Sequence, residues 1–468
     1  MKTNGDTIDF RARIPVWRET DVLVVGGGPA GIAAAISAAR NGARAILLER
    51  YGFLGGTATA SLVGPFMTSF SQDGKTRLIR GIFQELVERI HREGGAVLPE
   101  TTVHGTAYAG YIRRYGPHQE KGFDGVAPVN ADTLKRVAAE MCLEAGATLL
   151  LHTSFVTPLL DGKTIQGSVI LNKSGLQAIR SRVTIDCSAD ADVAYRAGAP
   201  TVFGRESDGR AQPMSMFFRI RGVDRQAVEA YYTAHPEETR LFQTIVRRAR
   251  AEGRLTVQRD GVYIFLEPDG ETWRVNTSRI IGRDGTNAED LTAAEIEGRR
   301  QVAELMAFFR RECPGFERCT LVEVAPQVGV RESRRIVGEY VLSAEDLASG
   351  RDFPDTIAFC GYPIDIHDPA GWRNGGDHPF SSANAYQIPF RCLLPREVEQ
   401  LLVAGRSLSA THEAAASVRV MPPCFAMGEA AGTAAALALK AGVPVRLVDV
   451  ADLRRSLRQQ GVYLGGGG

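Results

Sequence analysis

Residues 21–49 carry the pattern that most restricts what this 468-residue chain can fold into. Asp21-Val22-Leu23-Val24-Val25 is a short apolar, β-branched run and predicts a buried parallel strand. Gly26-x-Gly28-x-x-Gly31 follows without a gap. Residues 32–40 are small or apolar and predict a helix; residues 43–48 predict a second strand that ends at Glu49. Strand, glycine turn, helix, strand and acidic tip together make a complete βαβ fingerprint. Residues 22–39 hold no charge, and eighteen such residues could span a membrane. Gly26-Gly27-Gly28-Pro29 in the middle of that run predicts a turn instead.

Each position in the fingerprint has a physical job. Gly26 allows the tight turn, Gly28 lets the backbone approach a diphosphate, and Gly31 lets the helix lie close on the strand. Pro29 and Ala30 open the helix, whose unpaired N–H groups and partial positive charge suit an anion. Glu49, with Arg50 beside it, stands where a carboxylate accepts hydrogen bonds from ribose hydroxyls and repels a 2′-phosphate. The motif alone does not separate FAD from NAD.

The charge balance is near neutral, with Lys+Arg 55 against Asp+Glu 54, and no basic tract is present. Nucleic-acid and membrane-surface partners are therefore not expected. Seven cysteines, an odd number with no C-x-x-C, argue against a disulfide framework or a bound metal. They point to a reducing, cytoplasmic compartment. The first twenty residues include acidic side chains and no apolar core, so no secretory signal is expected.

Further motifs lie at both ends. Gly52-Phe53-Leu54-Gly55-Gly56-Thr57-Ala58-Thr59 follows the second strand. Near the C-terminus stand Leu401-Leu402-Val403-Ala404-Gly405-Arg406, Ala410-Thr411-His412-Glu413-Ala414, Ser417-Val418-Arg419-Val420-Met421-Pro422 and Gly428-Glu429-Ala430-Ala431-Gly432-Thr433. Together these resemble the FAD-dependent oxidoreductase family with a glutathione-reductase-type FAD-binding domain. The resemblance implies FAD as cofactor, with Gly55, Gly56, Thr57 and Ala58 in its site. It implies that Phe155 and Val156 meet the adenine through the backbone, and that the turn Ser188-Ala189-Asp190 approaches the cofactor. Ala189 stands where the family has Gly, and Arg406, after Gly405, where it often has Asp; Arg can pair with phosphate. A helix over 423–440 would aim its N-terminus at the flavin pyrimidine oxygen, placing Met421, Cys424 and Phe425 beside the isoalloxazine.

The expected architecture is α/β. A Rossmann-like FAD-binding domain formed by residues 1–205 and 392–468 would carry an inserted α+β substrate domain, 206–391, built mainly on an antiparallel sheet. Within the first segment, residues 130–144 predict a helix and 149–156 a strand. Residues 165–171 and 178–185 predict a hairpin and a returning strand. In the insertion, residues 214–220 alternate as a strand does. Residues 261–266 and 271–276 flank Pro268-Asp269-Gly270 as a hairpin, and Thr292-x-x-Glu295 predicts a capping box for a helix to about 311.

Four places carry candidate chemistry. Arg334, in Arg331-Glu332-Ser333-Arg334-Arg335, is either an anion clamp or a solvated surface arginine. The loop 361–369 brings Tyr362, Asp365 and His367 together, either as a lid with a general base or as a rigid connector. Asp365 and His367 would share one side of an extended chain. His412 could take a hydroxyl or amine proton as hydride leaves to flavin N5, or merely cap its segment. Arg419 could orient a carboxylate, or pair with Glu413.

No second GxGxxG follows a strand, so no dedicated NAD(P)H domain is expected. The leading expectation is an FAD-dependent dehydrogenase or oxidase that takes hydride from a small polar or anionic organic molecule. The electron acceptor and oligomeric state stay open. The alternatives are a monooxygenase or reductase fed by external NAD(P)H, an RNA-modifying flavoprotein, and a non-catalytic FAD-binding subunit.

Overall fold

The structure, a computed structural model, describes residues 8, 10–112, 124–371 and 382–466. The chain opens with β1 (Val16–Val25), α1 (Pro29–Arg40) and β2 (Ala45–Leu48), the expected βαβ unit. Then come α2 (Gly81–Arg92), α3 (Ala131–Glu144), β3 (Thr148–Leu150), β4 (Ser154–Asp161), β5 (Thr164–Asn172) and β6 (Gly175–Asp186). A short α4 (Asp192–Arg196) and β7 (Thr201–Phe203) lead into the insertion. That part holds β8 (Phe218–Arg221), α5 (Arg225–Ala234), α6 (Gln243–Ala251), β9 (Ile264–Leu266), β10 (Trp273–Val275), α7 (Ala288–Glu312) and β11 (Thr320–Val324). The return comprises β12 (Arg334–Ile336), α8 (Ala344–Ser349), β13 (Thr356–Cys360), β14 (Tyr386–Pro389), β15 (Leu401–Val403), α9 (His412–Val418), α10 (Met421–Ala441) and α11 (Val450–Gln459).

The main sheet runs β3-β2-β1-β6-β5-β4, with β15 also on β6. Its β3, β2, β1, β6 and β15 are parallel, while β4 and β5 pair antiparallel. Twelve-residue β6 serves two neighbours on one edge: its first half takes β5 and its last three residues take β15. The C-terminal segment thereby closes onto the first. Helix α10 packs on α1 through small residues; a Cβ on Gly428 would strike Ala30 O, and one on Gly432 would strike Ala34 O. A second, antiparallel sheet runs β11-β8-β10-β9.

Two large cores follow this division. One joins α1, α2, α3 and α10 and includes buried residues from Leu342 to Leu394. The other draws mainly on residues from Met214 to Val330, with Leu62, Ala107, Tyr111 and Ala131 reaching in from the first segment. The described part of the last fifty residues of the stretch 206–391 therefore packs with the core of α1, α2, α3 and α10 rather than with the insertion's own.

Several elements differ from expectation. The strand expected over 149–156 is split into β3 and β4, because His152 between them turns left-handed at φ 51°. Helix α7 starts at Ala288: Asn287 accepts from the Glu289 and Asp290 amides, and Thr292 Oγ1 instead donates to Ala288 O inside the helix. Strand β8 is only four residues long; Met214 and Ser215 make single bridges to Ile280 and Gly329. Helix α10 begins two residues early, at Met421, and takes Pro422 and Pro423 in its first turn, where a missing N–H costs nothing. The Pro268-Asp269-Gly270 turn forms as expected, with Asp269 Oδ1 accepting the Glu271 and Thr272 amides.

All seven cysteines are buried and free of disulfides. Among the described residues, no group of His, Cys, Asp and Glu could hold a metal ion, and no helix is long and apolar enough to cross a membrane.

Candidate active site

The glycine turn is built as its sequence requires. Gly26 sits at φ 104°, and a Cβ there would meet Cys187 O at the end of β6. A Cβ on Gly31 would strike Gly26 O. Gly28 is different: its Cβ would meet nothing nearer than Gly56 Cα at 3.7 Å. Gly28 is thus dispensable to the protein's own packing and leaves room for a ligand. It is also the N-cap of α1, and no side chain caps that helix.

A single cavity of about 490 Å³ starts from this turn. Gly26, Gly28, Pro29, Ala30, Glu49, Arg50, Gly56, Thr57, Phe155, Ser188, Ala189 and Asp190 line it, as do Gly405, Arg406, Met421 and Cys424. Gly31, Gly55, Ala58, Val156 and Phe425 do not. Their positions explain this. Gly31 and Gly55 answer to backbone geometry, and Ala58 is in the core. Val156 is the extra residue at a register break between Phe155 and Thr157 in β4. Phe425 lies one residue beyond Cys424, about 100° around α10. Its ring packs in the core at 5.9 Å from Phe66 and 5.5 Å from Phe83.

Glu49 Oε2 accepts from the Gly27 amide at 2.7 Å, and Oε1 from the Tyr51 amide at 2.9 Å. Burial raises its carboxyl, while these amides pull the other way. At the next strand end, Asp186 Oδ1 takes the Ser188 amide, and Oδ2 takes the Val193 and Ala194 amides. Ala189 and Ala191 lie there at φ 70° and 54°, so alanine fills left-handed positions that glycine takes more readily. Arg406 pairs with Asp190 at 2.5 Å and donates to Val330 O; its Nε is buried and has no hydrogen-bond partner among the described residues. Asp192 is pushed up to about 6 by burial, with Asp190 and Asp186 adding to it.

The far end of the cavity is walled by both cores. Tyr362, Asp365, His367 and Arg419 enter from the C-terminal half, and Ser215, Arg240, Arg259, Tyr263, Asn276 and Arg331 from the insertion. Asp365 Oδ2 accepts from Tyr362 OH at 3.1 Å and lies 3.3 Å from His367 Nε2 and 3.9 Å from an Arg419 nitrogen. The expected same-side placement of Asp365 and His367 is found. Burial pushes the Asp365 carboxyl up, but His367, Arg419 and Arg331 outweigh it and hold it far below the usual carboxylate range. Burial and the neighbouring Arg331 hold His367 well below its usual value, so its imidazole is neutral. Arg419 donates to Gln212 Oε1 and Asp365 O, not to Glu413.

Two candidates lie elsewhere. His412, expected over the flavin, does not line the cavity. It is buried, and its Nδ1 donates to Glu332 Oε1 at 2.9 Å. Glu332 also binds Arg335 and the Gln212 amide, and these partners hold its carboxyl below the ordinary range against burial. Arg334 is likewise outside the wall. It donates to Asp190 O and pairs with Asp192 at 2.5 Å, bracing the turn that lines the cavity.

Sequence reasoning missed Arg259, Arg240, Tyr263 and Asn276. Tyr263 OH donates to Asp260 and accepts from Arg240 Nε; Arg259 stacks over the Tyr263 ring at 4.2 Å and donates to Asn276 O. The signal was alternation in the predicted hairpin, which puts Tyr263 and Phe265 on one face.

The residues present fit FAD. Two helix N-termini without side-chain caps, those of α1 and α10, abut one cavity. One suits a diphosphate and the other a flavin ring that gains negative charge. Gly28 leaves the approach open, and the cavity wall runs from Glu49 and Phe155 to Met421 and Cys424.

A family model for FAD dependent oxidoreductases matches residues 21–457. Thiamine thiazole synthase of Aeropyrum pernix is 29% identical over 175 residues, which are 37% of this chain and 52% of that protein. Sarcosine oxidase subunit alpha of Rhizobium meliloti is 40% identical over 65 residues, 13% of this chain and 7% of that one. The chain thus spans about half or less of the length of these relatives. Among solved structures, p-nitrophenol 4-monooxygenase from Pseudomonas putida has TM-score 0.49 at 12% identity, covering 94% of this chain and 86% of that one. L-proline dehydrogenase from P. horikoshii has TM-score 0.44 at 13% identity, covering 95% and 99%.

Proposed function

This chain belongs to the FAD dependent oxidoreductase family, and on that premise we propose that it is a dehydrogenase or oxidase acting on a small polar organic molecule. One observation carries the reading. The cavity that begins at the uncapped N-terminus of α1 continues without a break into a chamber walled by Arg331, Arg419, His367 and Asp365. A substrate there would lie against the end of the cofactor that accepts hydride. FAD supplies the two-electron chemistry when bound.

The chain's own residues do the rest. Gly28, the α1 N-terminus and Arg406 would hold the diphosphate. Glu49 and the Phe155 backbone would hold the adenosine end. The N-terminus of α10, at Met421, would offer a positive dipole end to the flavin ring. Arg331 and Arg419 orient the substrate, and His367, set by Asp365, receives its proton. Gln212 ties Arg419 to the loop that carries His367.

On this reading electrons enter from the organic substrate; the sequence has no second glycine-rich strand-to-helix turn for a resident nicotinamide, and the alternative is transient reduction by external NAD(P)H. Anaerobic mixing tests this. Bleaching of the flavin band by a small organic compound, and not by NADH or NADPH, is the expected result. Bleaching by NADH or NADPH alone would overturn it in favour of a monooxygenase or reductase.

A further inference from the structure

The chamber wall has a charge pattern that narrows the substrate. Arg331 donates to three neutral acceptors: Pro213 O at 2.7 Å, Ser215 Oγ at 2.8 Å and Asn276 Oδ1 at 3.2 Å. No carboxylate lies within ion-pair distance of it among the described residues. Its neighbours Arg259, Arg419 and Arg279 are also cationic; desolvation first, and then these three charges, push Arg331 well below its usual value. Asp365 is the anion that acts against them there. A partly buried guanidinium without a countercharge in contact is costly, and a ligand carboxylate would reduce that cost. Arg419 is nearly as poorly compensated, with only Asp365, at 3.9 Å, among the described residues.

Beside these arginines stands His367, more than nine-tenths buried, on the same cavity wall. Its Nε2 faces Asp365 Oδ2, and its Nδ1 has no hydrogen-bond partner among the described residues. An ionised Asp365 accepts from Nε2–H and so favours that tautomer, which leaves the lone pair on Nδ1. That is the arrangement of an oriented imidazole base with an unused acceptor.

We propose that Arg331 and Arg419, with the His367–Asp365 pair, form the subsite for a small 2-hydroxy carboxylate. The arginines hold the carboxylate, and His367 takes the hydroxyl proton. This rests on the oxidoreductase reading above. The reaction balances as follows. The O–H bond breaks and its proton goes to His367; the C–H bond breaks and its hydrogen leaves with the electron pair as hydride to bound FAD. The C–O bond becomes C=O. The substrate is oxidised by two electrons to a 2-oxo carboxylate, and the flavin is reduced by the same two. A hydroxyl is assigned rather than an amine because an ammonium group would be repelled by this arginine-rich wall. The bound carboxylate also offsets the repulsion that Arg331 exerts on a protonated His367, so the substrate itself raises the basicity of its acceptor.

The test is a titration of the FAD-loaded enzyme with oxalate, read as a perturbation of the flavin absorption band. Glycolamide, neutral and of similar size, is the control, and lactate, glycolate and malate are then mixed anaerobically. The expected result is a saturable band shift with oxalate and none with glycolamide, and bleaching by at least one of the three hydroxy acids. Arg331→Met weakens oxalate at least tenfold with FAD content unchanged. Arg331→Lys, kept as a variant less prone to misfold, weakens it by a smaller factor. His367→Asn binds oxalate as the parent does but is bleached at least a hundredfold more slowly. A flavin-loaded enzyme that ignores oxalate and all three hydroxy acids overturns the proposal. So does a folded Arg331→Met variant that binds oxalate with parental affinity. A protein that takes up no flavin at all would overturn the oxidoreductase reading instead, which keeps the two failures distinct.

Discussion

Arg419 and His367 share one acceptor. Gln212 Oε1 takes the His367 amide at 3.1 Å and an Arg419 nitrogen at 3.3 Å, while the Gln212 amide donates to Glu332. The cation and the base of the chamber are thus set by one buried side chain from a distant segment. Gln212→Leu leaves the buried His367 amide without its acceptor and removes one of two acceptors from the Arg419 nitrogen, at a cost of about 1–3 kcal/mol. The variant should keep its flavin, lose kcat/KM by about tenfold or more, and melt earlier; steady-state kinetics and thermal unfolding check this.

The two glycines three residues apart should fail in different ways. Gly28→Ala has room within the protein, so it should fold with a stability change within about 0.5 kcal/mol, but lose FAD affinity at least tenfold. Gly31→Ala collides with Gly26 O and should lower the apoprotein's own stability by several degrees in Tm. Fluorescence titration with FAD, beside thermal melts of both apoproteins, separates the two effects.

His412 should behave as a positioning residue. It holds Glu332, which in turn holds the Gln212 amide, and it does not reach the cavity. His412→Gln should lower kcat less than His367→Asn does and leave the kcat pH profile unshifted. A lost or displaced limb in that profile would return His412 to the role of proton acceptor.

Glu429 gives stability a pH signature. Its carboxyl is buried under α2, where Oε2 accepts the Ile82 amide, and burial pushes it up to about 8. The Ile82 amide and Arg40 oppose that rise, and Glu85 adds to it. An acid whose value is higher folded than unfolded favours the folded state at low pH. Its contribution is full below about 4, the unfolded value, and is lost as pH rises through 8. Glu429→Gln should flatten the stability profile between pH 5 and 8 and exceed the parent at pH 8 by on the order of 3 kcal/mol. Denaturant melts at several pH values measure it.

How far the sequence spoke depended on chain distance. The β1–α1–β2 unit was legible because strand, turn and helix signals lie within thirty residues and each glycine answers to a local constraint. The hairpin at Pro268-Asp269-Gly270 was legible for the same reason. Arg259 and Asn276 were not, since their place in the chamber depends on where the β9–β10 hairpin docks. His412 misled through nearness in sequence to α10; its partner, Glu332, lies 80 residues away, and no local pattern reveals that pairing. Phe425 misled by a single helical step, which turned it from the cavity into the core.

The most direct test of the central claim is the flavin content of the protein after purification and after equilibration with excess FAD. The account predicts one FAD per chain, a flavin absorption band that survives gel filtration, and its loss in Gly28→Ala. A chain that folds, shows no such band and takes up no FAD would contradict the account at its base.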